Sequence, residues 1–367
     1  MSAPLRSTVV DVDLDAIVAN YAALRERGKA EVIAVIKADA YGHGVEAVGQ
    51  ALQDAGAAML AVATVEEALV LRTAGVRASI LILLGAQDRA EANAAVAAEC
   101  ALVVWSVDEA RVLDEVAASA SRPAVVHFKV DTGLTRLGAP LEDAVDRYRT
   151  IRELRHVRVD GLFTHLATAD EPDVSNDKQQ LARFASILGA IPGCTAIRPG
   201  VSLYGLDTAP HLRDSLALRP ALEWRTRIRR VAHAKKGTGV SYGHEYHLPR
   251  DGRIATLPVG YGDGLSRSLG KRGHVLVGGR RVGFAGRICM DLVMVDVTDT
   301  PDTKEGDEVV IIGEQEDLRQ SADDLASADG TINYVIVTQI RRRVPRRYHQ
   351  GGRVVATRTL LEGYVRV

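Results

Sequence analysis

The chain has 367 residues, 47% of them hydrophobic and 25% charged, with a formal net charge of −1 at pH 7. That length admits two domains, or one large barrel with an addition, and the composition supplies a sizeable core and argues against disorder. The balanced charge gives no electrostatic ground for nucleic acid or an anionic membrane as the main partner.

The chain starts "MSAPLRSTVVDVDLDAI", which has no hydrophobic signal core, and no apolar run reaches membrane-spanning length. A soluble, cytoplasmic protein is expected. Up to about residue 225, apolar β-rich runs alternate with alanine-rich helical stretches: "EVIAVIK", "AMLAVAT", "ASILILLG", "CALVVWS", "AVVHFKVD" and "VDGLFTHLA". Two of the intervening helices, in "VEEALVLRTAG" and "VDEARVLDEVA", open on capping boxes, Thr64 with Glu67 and Ser106 with Glu109. Continuous apolar strands between helices predict a parallel sheet covered on both faces, either doubly wound or a (β/α)₈ barrel. After Trp224 the texture changes to short glycine-punctuated strands, such as "GRIATLPVGY" and "GDEVVIIGE", with a helical interlude near Ser321 to Ala328. The expected division is a barrel over residues 1–225, its first ten or so residues packing on the second unit, and a mostly β domain over 226–367.

Polar residues follow the strand ends: Lys37, then Lys129 with Asp131, then His165. Such groups at the carboxyl ends of several strands favour the barrel, where active sites occupy that face. Lys37 closes an apolar run at the head of "KADAYGHG". A lysine there either snorkels to water or is paired or consumed by chemistry. No Walker loop, "GxGxxG", "HExxH" or "GxSxG" occurs, and Cys100, Cys194 and Cys289 match no zinc spacing and make no disulfide framework. A reducing compartment fits. Lysine, tyrosines, histidine and arginines suit an anionic cofactor bearing an aldehyde better than a metal. The basic run "RRRVPRRY", Arg341 to Tyr348, reads as a solvated face.

"AVIKADAYGHG" resembles the pyridoxal-phosphate attachment signature of the alanine racemase family. "KVDTGLTRLG", "THLATAD", "IRPGVSLYG", "GVSYGHEY", "PVGYGDG", "GRICMD" and "INYVIVTQIRRRVPR" resemble further blocks of that family, in family order, over nearly the whole chain. The resemblance implies a barrel followed by a β domain, pyridoxal 5′-phosphate as cofactor, and interconversion of L- and D-alanine that supplies peptidoglycan. It also implies a head-to-tail homodimer in which the β domain of one subunit completes the barrel mouth of the other.

Residue by residue, Lys37 matches the lysine that attaches the cofactor and serves as base on one face of the substrate. Tyr242, in "GVSYGHEY", matches the second base on the opposite face. A phenol of ordinary pKa ~10 needs about 4 kcal/mol of preferential phenolate stabilisation to work near pH 7, and the implied source is His165 backed by Arg198. Tyr41, Gly200 and Val201 match the phosphate contacts, and Arg198 the arginine that meets the pyridine nitrogen. Arg136 and Met290 match the contacts to the substrate carboxylate. Lys129 matches a lysine often carbamylated in the family, which orients that arginine. Asp170, Tyr261 and Arg287 resemble residues that narrow access, and Asp291 flanks Met290.

The chain departs from the family in one block. Between Ala190 and Arg198 a helix and a strand with an "HxANSA"-like sequence are missing, and "IPGC" leads straight to "TAIRPG". Two readings are open: a barrel shortened and closed by local rearrangement, or a segment of the molecule that this sequence omits. The cost of two open sheet edges favours the second. Arg342 stands near the position of a phosphate-contacting tyrosine, for which Arg341 to Arg343 or Tyr348 could compensate. The rival functions are a racemase of broader range, such as serine, a decarboxylase on the same barrel, and a degenerate pyridoxal-phosphate binder with weak catalysis.

Overall fold

Each apolar run of the first half forms a strand, because each is flanked by a helix whose buried stripe covers it. The computed structural model describes residues 4–188, 195–212 and 216–367. The chain enters with β1 (Val9–Asp13) and then lays down β2 (Glu31–Val35), β3 (Met59–Val62), β4 (Ser79–Ile82), β5 (Ala101–Val104), β6 (Ala124–Lys129), β7 (Val157–Phe163) and β8 (Ala196–Ile197). These, without β1, make one parallel sheet in the order β7-β6-β5-β4-β3-β2-β8. Ile80, Leu81 and Ile82 in β4 are fully buried, each contributing roughly 1.5–3 kcal/mol of hydrophobic stabilisation. The two capping boxes form as read, on the helices Val65–Thr73 and Val107–Ala120.

Among the described residues the parallel sheet has seven strands, where a complete barrel of this type has eight. β8 is two residues long and pairs with β2, and no pairing joins it to β7. Val159, Leu162 and Phe163 of β7 are correspondingly only half-buried. The junction expected to lack a helix and a strand falls largely on residues 189–194, outside the described residues.

From β9 (Leu222–Arg227) onward the architecture is mostly β. β9 joins a second sheet whose order continues through β1 to the strands Arg346–Gln350, Arg353–Thr359 and Gly363–Arg366. On its other side β9 pairs with Glu308–Gln315. Arg230–Ala234, Gly252–Leu257 and Val293–Asp296 form a separate three-stranded antiparallel sheet. β1 pairs antiparallel with β9 and parallel with Arg346–Gln350. The helix Ala322–Asp329 matches the expected interlude, but a second helix, Asn333–Thr338, occupies "NYVIVT". Its β-branched residues favour a strand, and tertiary contacts override them. Asn333 Nδ2 donates to the Asp207 carbonyl and to Asp323 Oδ1, each at 2.7 Å, and the Tyr334 ring lies 5.9 Å from that of Tyr41.

Candidate active site

β2 ends at Val35, and Lys37 stands two residues beyond it, not on the strand. The four residues after it, Ala38, Asp39, Ala40 and Tyr41, all take left-handed backbone angles, with φ of 52, 57, 53 and 52°. For residues with a Cβ this costs roughly 1–2 kcal/mol each, so the turn persists only because its surroundings hold it. Glu67 Oε1 accepts the Ala38 N–H at 2.6 Å while Oε2 accepts that of Ala63 at 2.7 Å. The capping glutamate of one helix thereby also fixes the lysine turn. The Gly44 N–H donates to the Asp39 carbonyl at 2.8 Å, and the Val45 N–H to Asp39 Oδ1 at 3.0 Å. Gly42 closes the turn at φ 79°, so near the Val337 carbonyl that a Cβ would stand 2.1 Å from it.

Around Lys37 the carboxyl ends of the strands bring together Lys129, Arg136, His165 and Arg198. Burial, and then the charge of Arg136, lowers the Lys37 ammonium below the ordinary lysine range; Glu67 opposes and Arg198 adds. Lys129, 5% exposed at the end of β6, is brought down to about 8 by burial and by Arg136 and Arg198. His165 stays open to solvent on one side; its partial burial and the charges of Arg198, Arg136, Lys129 and Lys37 hold it at about 4. The Arg198 guanidinium lies 4.0 Å over the Phe163 ring and donates from Nη2 to the Thr164 carbonyl at 2.6 Å. Arg136 projects from a loop wound on Asp131, whose Oδ1 accepts the N–H groups of Gly133, Leu134 and Thr135 at 2.9, 2.9 and 3.1 Å.

Tyr41 and Gly200 also meet here. The Tyr41 hydroxyl lies so near Gly200 that a Cβ there would come within 2.4 Å of it. Gly200 precedes the short 3₁₀ turn Val201–Tyr204. As at any such turn, the first N–H groups, of Val201 and Ser202, find no partner within the turn, and none is formed elsewhere among the described residues. Asp170 is exposed and near enough to raise the Tyr334 phenol, after burial has done so. Tyr348 is fully buried, its hydroxyl against Gly44. That hydroxyl has no hydrogen-bond partner among the described residues; Arg342 is exposed.

The remaining expected residues form a second group on the β domain. Tyr242, Tyr261 and Met290 are 69%, 39% and 53% exposed. Tyr242 and Tyr261 line a cleft of about 600 Å³ with Leu265, Ile288, Cys289 and Arg341. The Tyr261 and Gly262 N–H groups donate to the Cys289 and Met290 carbonyls at 3.0 and 2.8 Å. Ser241 Oγ donates to the Arg287 carbonyl at 2.6 Å, and Arg287 Nε donates to Glu245 at 2.8 Å. Arg343 ties the group together, donating to buried Asp263 at 2.7 Å and to Asp291 at 2.6 Å. Sequence reasoning missed Asp263, Arg343 and the positioning part of Asp131. The capping box revealed Glu67, but not its bond to Ala38.

Two family descriptions match the chain in succession: "Alanine racemase, N-terminal domain" over residues 12–202 and "Alanine racemase, C-terminal domain" over residues 221–348. The alanine racemase of Halothermothrix orenii is 39% identical over 368 residues, covering 94% of this chain and 97% of that protein. Among solved structures, the alanine racemase of Clostridium difficile 630 matches with a TM-score of 0.91 at 31% identity, covering 98% of this chain and 100% of that one. That of Bacillus anthracis, with bound L-Ala-P, matches at 0.89 and 33% identity, covering 98% and 99%. The first of these family matches spans Lys37, and the second spans Tyr242. The chain belongs to the alanine racemase family.

Proposed function

We propose that the protein interconverts L- and D-alanine with pyridoxal 5′-phosphate held at Lys37, as a homodimer whose sites are shared between two copies. The observation that carries the reading is the desolvated Lys37 amine among Lys129, Arg136, His165 and Arg198 at the carboxyl ends of the parallel strands. The donor set fits an anionic aldehyde. Lys37 offers a primary amine of lowered pKa, and the Tyr41 hydroxyl beside Gly200, with the Val201 and Ser202 N–H groups, offers a phosphate seat. When bound, the cofactor supplies an electron sink that makes the substrate α-proton removable.

The chain's own groups do the rest. Lys37 Nζ would hold the cofactor, and the same nitrogen would take or return the substrate α-proton on one face. Tyr242 Oη serves the other face, since a single base would return the proton to the side it left. Arg136 orients the substrate carboxylate from its Asp131-wound loop, with Met290 as a backbone contact. Arg198, a guanidinium that keeps its proton, would meet the cofactor ring and disfavour a second positive charge on it. His165, held at about 4, is neutral at neutral pH and relays a hydrogen bond without adding charge. Lys129, at about 8, keeps enough free amine for the carbamylation that would let it grip Arg136. Asp170, Tyr261, Arg287 and Asp291 shape the mouth.

The exposed Tyr242, Tyr261, Met290 and Leu292 give the β domain an apolar face suited to cover the barrel mouth of a second copy. We place the protein in the cytoplasm, supplying D-alanine for peptidoglycan. Free Cys100 and Cys289 agree with a reducing compartment, and among the described residues no helix is long and apolar enough to cross a membrane.

Two measurements test this. L-Alanine incubated with the purified chain and added pyridoxal phosphate is expected to yield D-alanine until the two isomers are equal; no D-alanine from folded protein would refute the assignment. Sharing of sites is tested by mixing Lys37→Ala with Tyr242→Phe chains and refolding them together. Random pairing gives each mixed dimer one intact site, so roughly a quarter of wild-type activity should return. If both bases acted within one chain, the mixture would stay inactive.

A further inference from the structure

The left-handed turn that carries Lys37 is not held by the barrel domain alone. Arg358, on the strand Arg353–Thr359 of the β domain, places both terminal nitrogens on the Asp39 carboxylate, at 2.7 and 2.6 Å, and reaches Glu46 at 3.4 Å. Its side chain is 7% exposed, and its Nε is buried without a hydrogen-bond partner. An orphaned N–H is a cost, so the guanidinium sits where the carboxylate requires it and not where all its own donors would be satisfied. Burial alone would raise the Asp39 carboxyl; Arg358 outweighs that and holds it below the usual carboxylate range. A second fully buried arginine, Arg346, donates to the Gly42 carbonyl at 3.2 Å, anchored by the Ile340, Val344 and Arg341 carbonyls at 2.6–2.7 Å. The Val337 carbonyl and the Tyr348 hydroxyl lie close against Gly42 and Gly44 respectively.

A buried ion pair is a weak source of net stability, because desolvation offsets its attraction. This one is bidentate, and its carboxylate belongs to the second of four strained residues following Lys37. We propose that Arg358 is a positioning residue for Lys37: by gripping Asp39 it keeps the left-handed turn wound and so fixes where the amine stands among Arg136, Arg198 and Glu67. The β domain thus acts on the barrel half of the site within its own chain, besides offering Tyr242. The catalytic part of this inference rests on the reading of Lys37 as the cofactor lysine; the positional part does not.

The test uses the full chain carrying Arg358→Gln, Asp39→Asn or both. Asp39→Asn keeps an oxygen for the Val45 N–H and loses the ion pair. Labelling of the cofactor-stripped chain with acetic anhydride across pH, read by peptide mass spectrometry against exposed Lys178, gives the titration midpoint of the Lys37 amine, which changes in accessibility scale without displacing. In each variant the midpoint should rise by about one pH unit toward an ordinary lysine, roughly a tenfold fall in the unprotonated fraction. The double variant should move it no further than either single one. Trapping of pyridoxal phosphate on Lys37 by borohydride should slow about tenfold in the same preparations. An unmoved midpoint in folded Arg358→Gln, or additive shifts in the double variant, would overturn the proposal, and if Arg358→Gln does not fold, Asp39→Asn decides. A wild-type chain that traps no cofactor would count against the proposed function, while the titration still decides the clamp.

Discussion

A Lys37→Ala chain should retain no pyridoxal phosphate after borohydride reduction and dialysis, and should racemise alanine at least about 10⁴-fold more slowly than wild type. On the proposed function, two roles meet at one nitrogen. A positioned general base contributes 10² to 10⁴ in rate, and loss of the attachment point removes covalent catalysis as well. Residues acting as one unit are not additive, so further changes at Tyr242 should cost little more. The fold should survive, because the turn after Lys37 is held through backbone groups and Asp39, which the substitution leaves in place. Melting curves and D-alanine formation check the two statements separately. A loss smaller than tenfold would move the role to Lys129, the neighbouring lysine whose amine is also brought down, to about 8.

The second large effect belongs to Tyr242→Phe, which removes one oxygen from a side chain 69% exposed and so should leave the chain's stability alone. Racemisation should fall by about 10²- to 10⁴-fold, the share of one general base. The decisive signature lies in heavy water. With Lys37 intact, one enantiomer should still exchange its α-hydrogen for deuterium while the other does not, and neither should invert at the wild-type rate. Equal exchange of both enantiomers, or unchanged racemisation, would remove Tyr242 from the mechanism.

How far these expectations could be read from the sequence depended on the range of the interactions involved. The strands β2 to β7 were legible because each is a continuous apolar run between helices, and two of those helices announce themselves by capping boxes. Lys37, Lys129 and His165 were legible as a group because a parallel sheet gathers whatever follows its strand ends. The helix Asn333–Thr338 was not, since its β-branched residues point the other way and its contacts come from Asp207 and Tyr41. Nor was the left-handed turn: "ADAY" has no glycine to mark positive φ, and what holds it arrives through Glu67 and through Arg358, 319 positions from Asp39. Roles for Tyr242, Tyr261 and Met290 came from family resemblance alone, because in one chain they face solvent. The burial of Tyr348 was not legible either, because a tyrosine at a strand position shows neither face nor depth until its partner strand is known.

The pairing of β1 with both β9 and Arg346–Gln350 has a consequence for biogenesis. Val10 stands in register with Arg346, and Val12 with Tyr348, so an early strand waits for one more than 300 residues further along. The parallel strands, joined to their neighbours by short sequence separations, can assemble while synthesis continues. The second sheet cannot close until Arg346–Gln350 is available, a long-range contact of the kind that slows folding. Arg358 emerges later still. A chain from which Arg358 has not yet emerged therefore carries an unclamped Lys37 turn. Shortening the chain by its last dozen residues should stall it in that unfinished form.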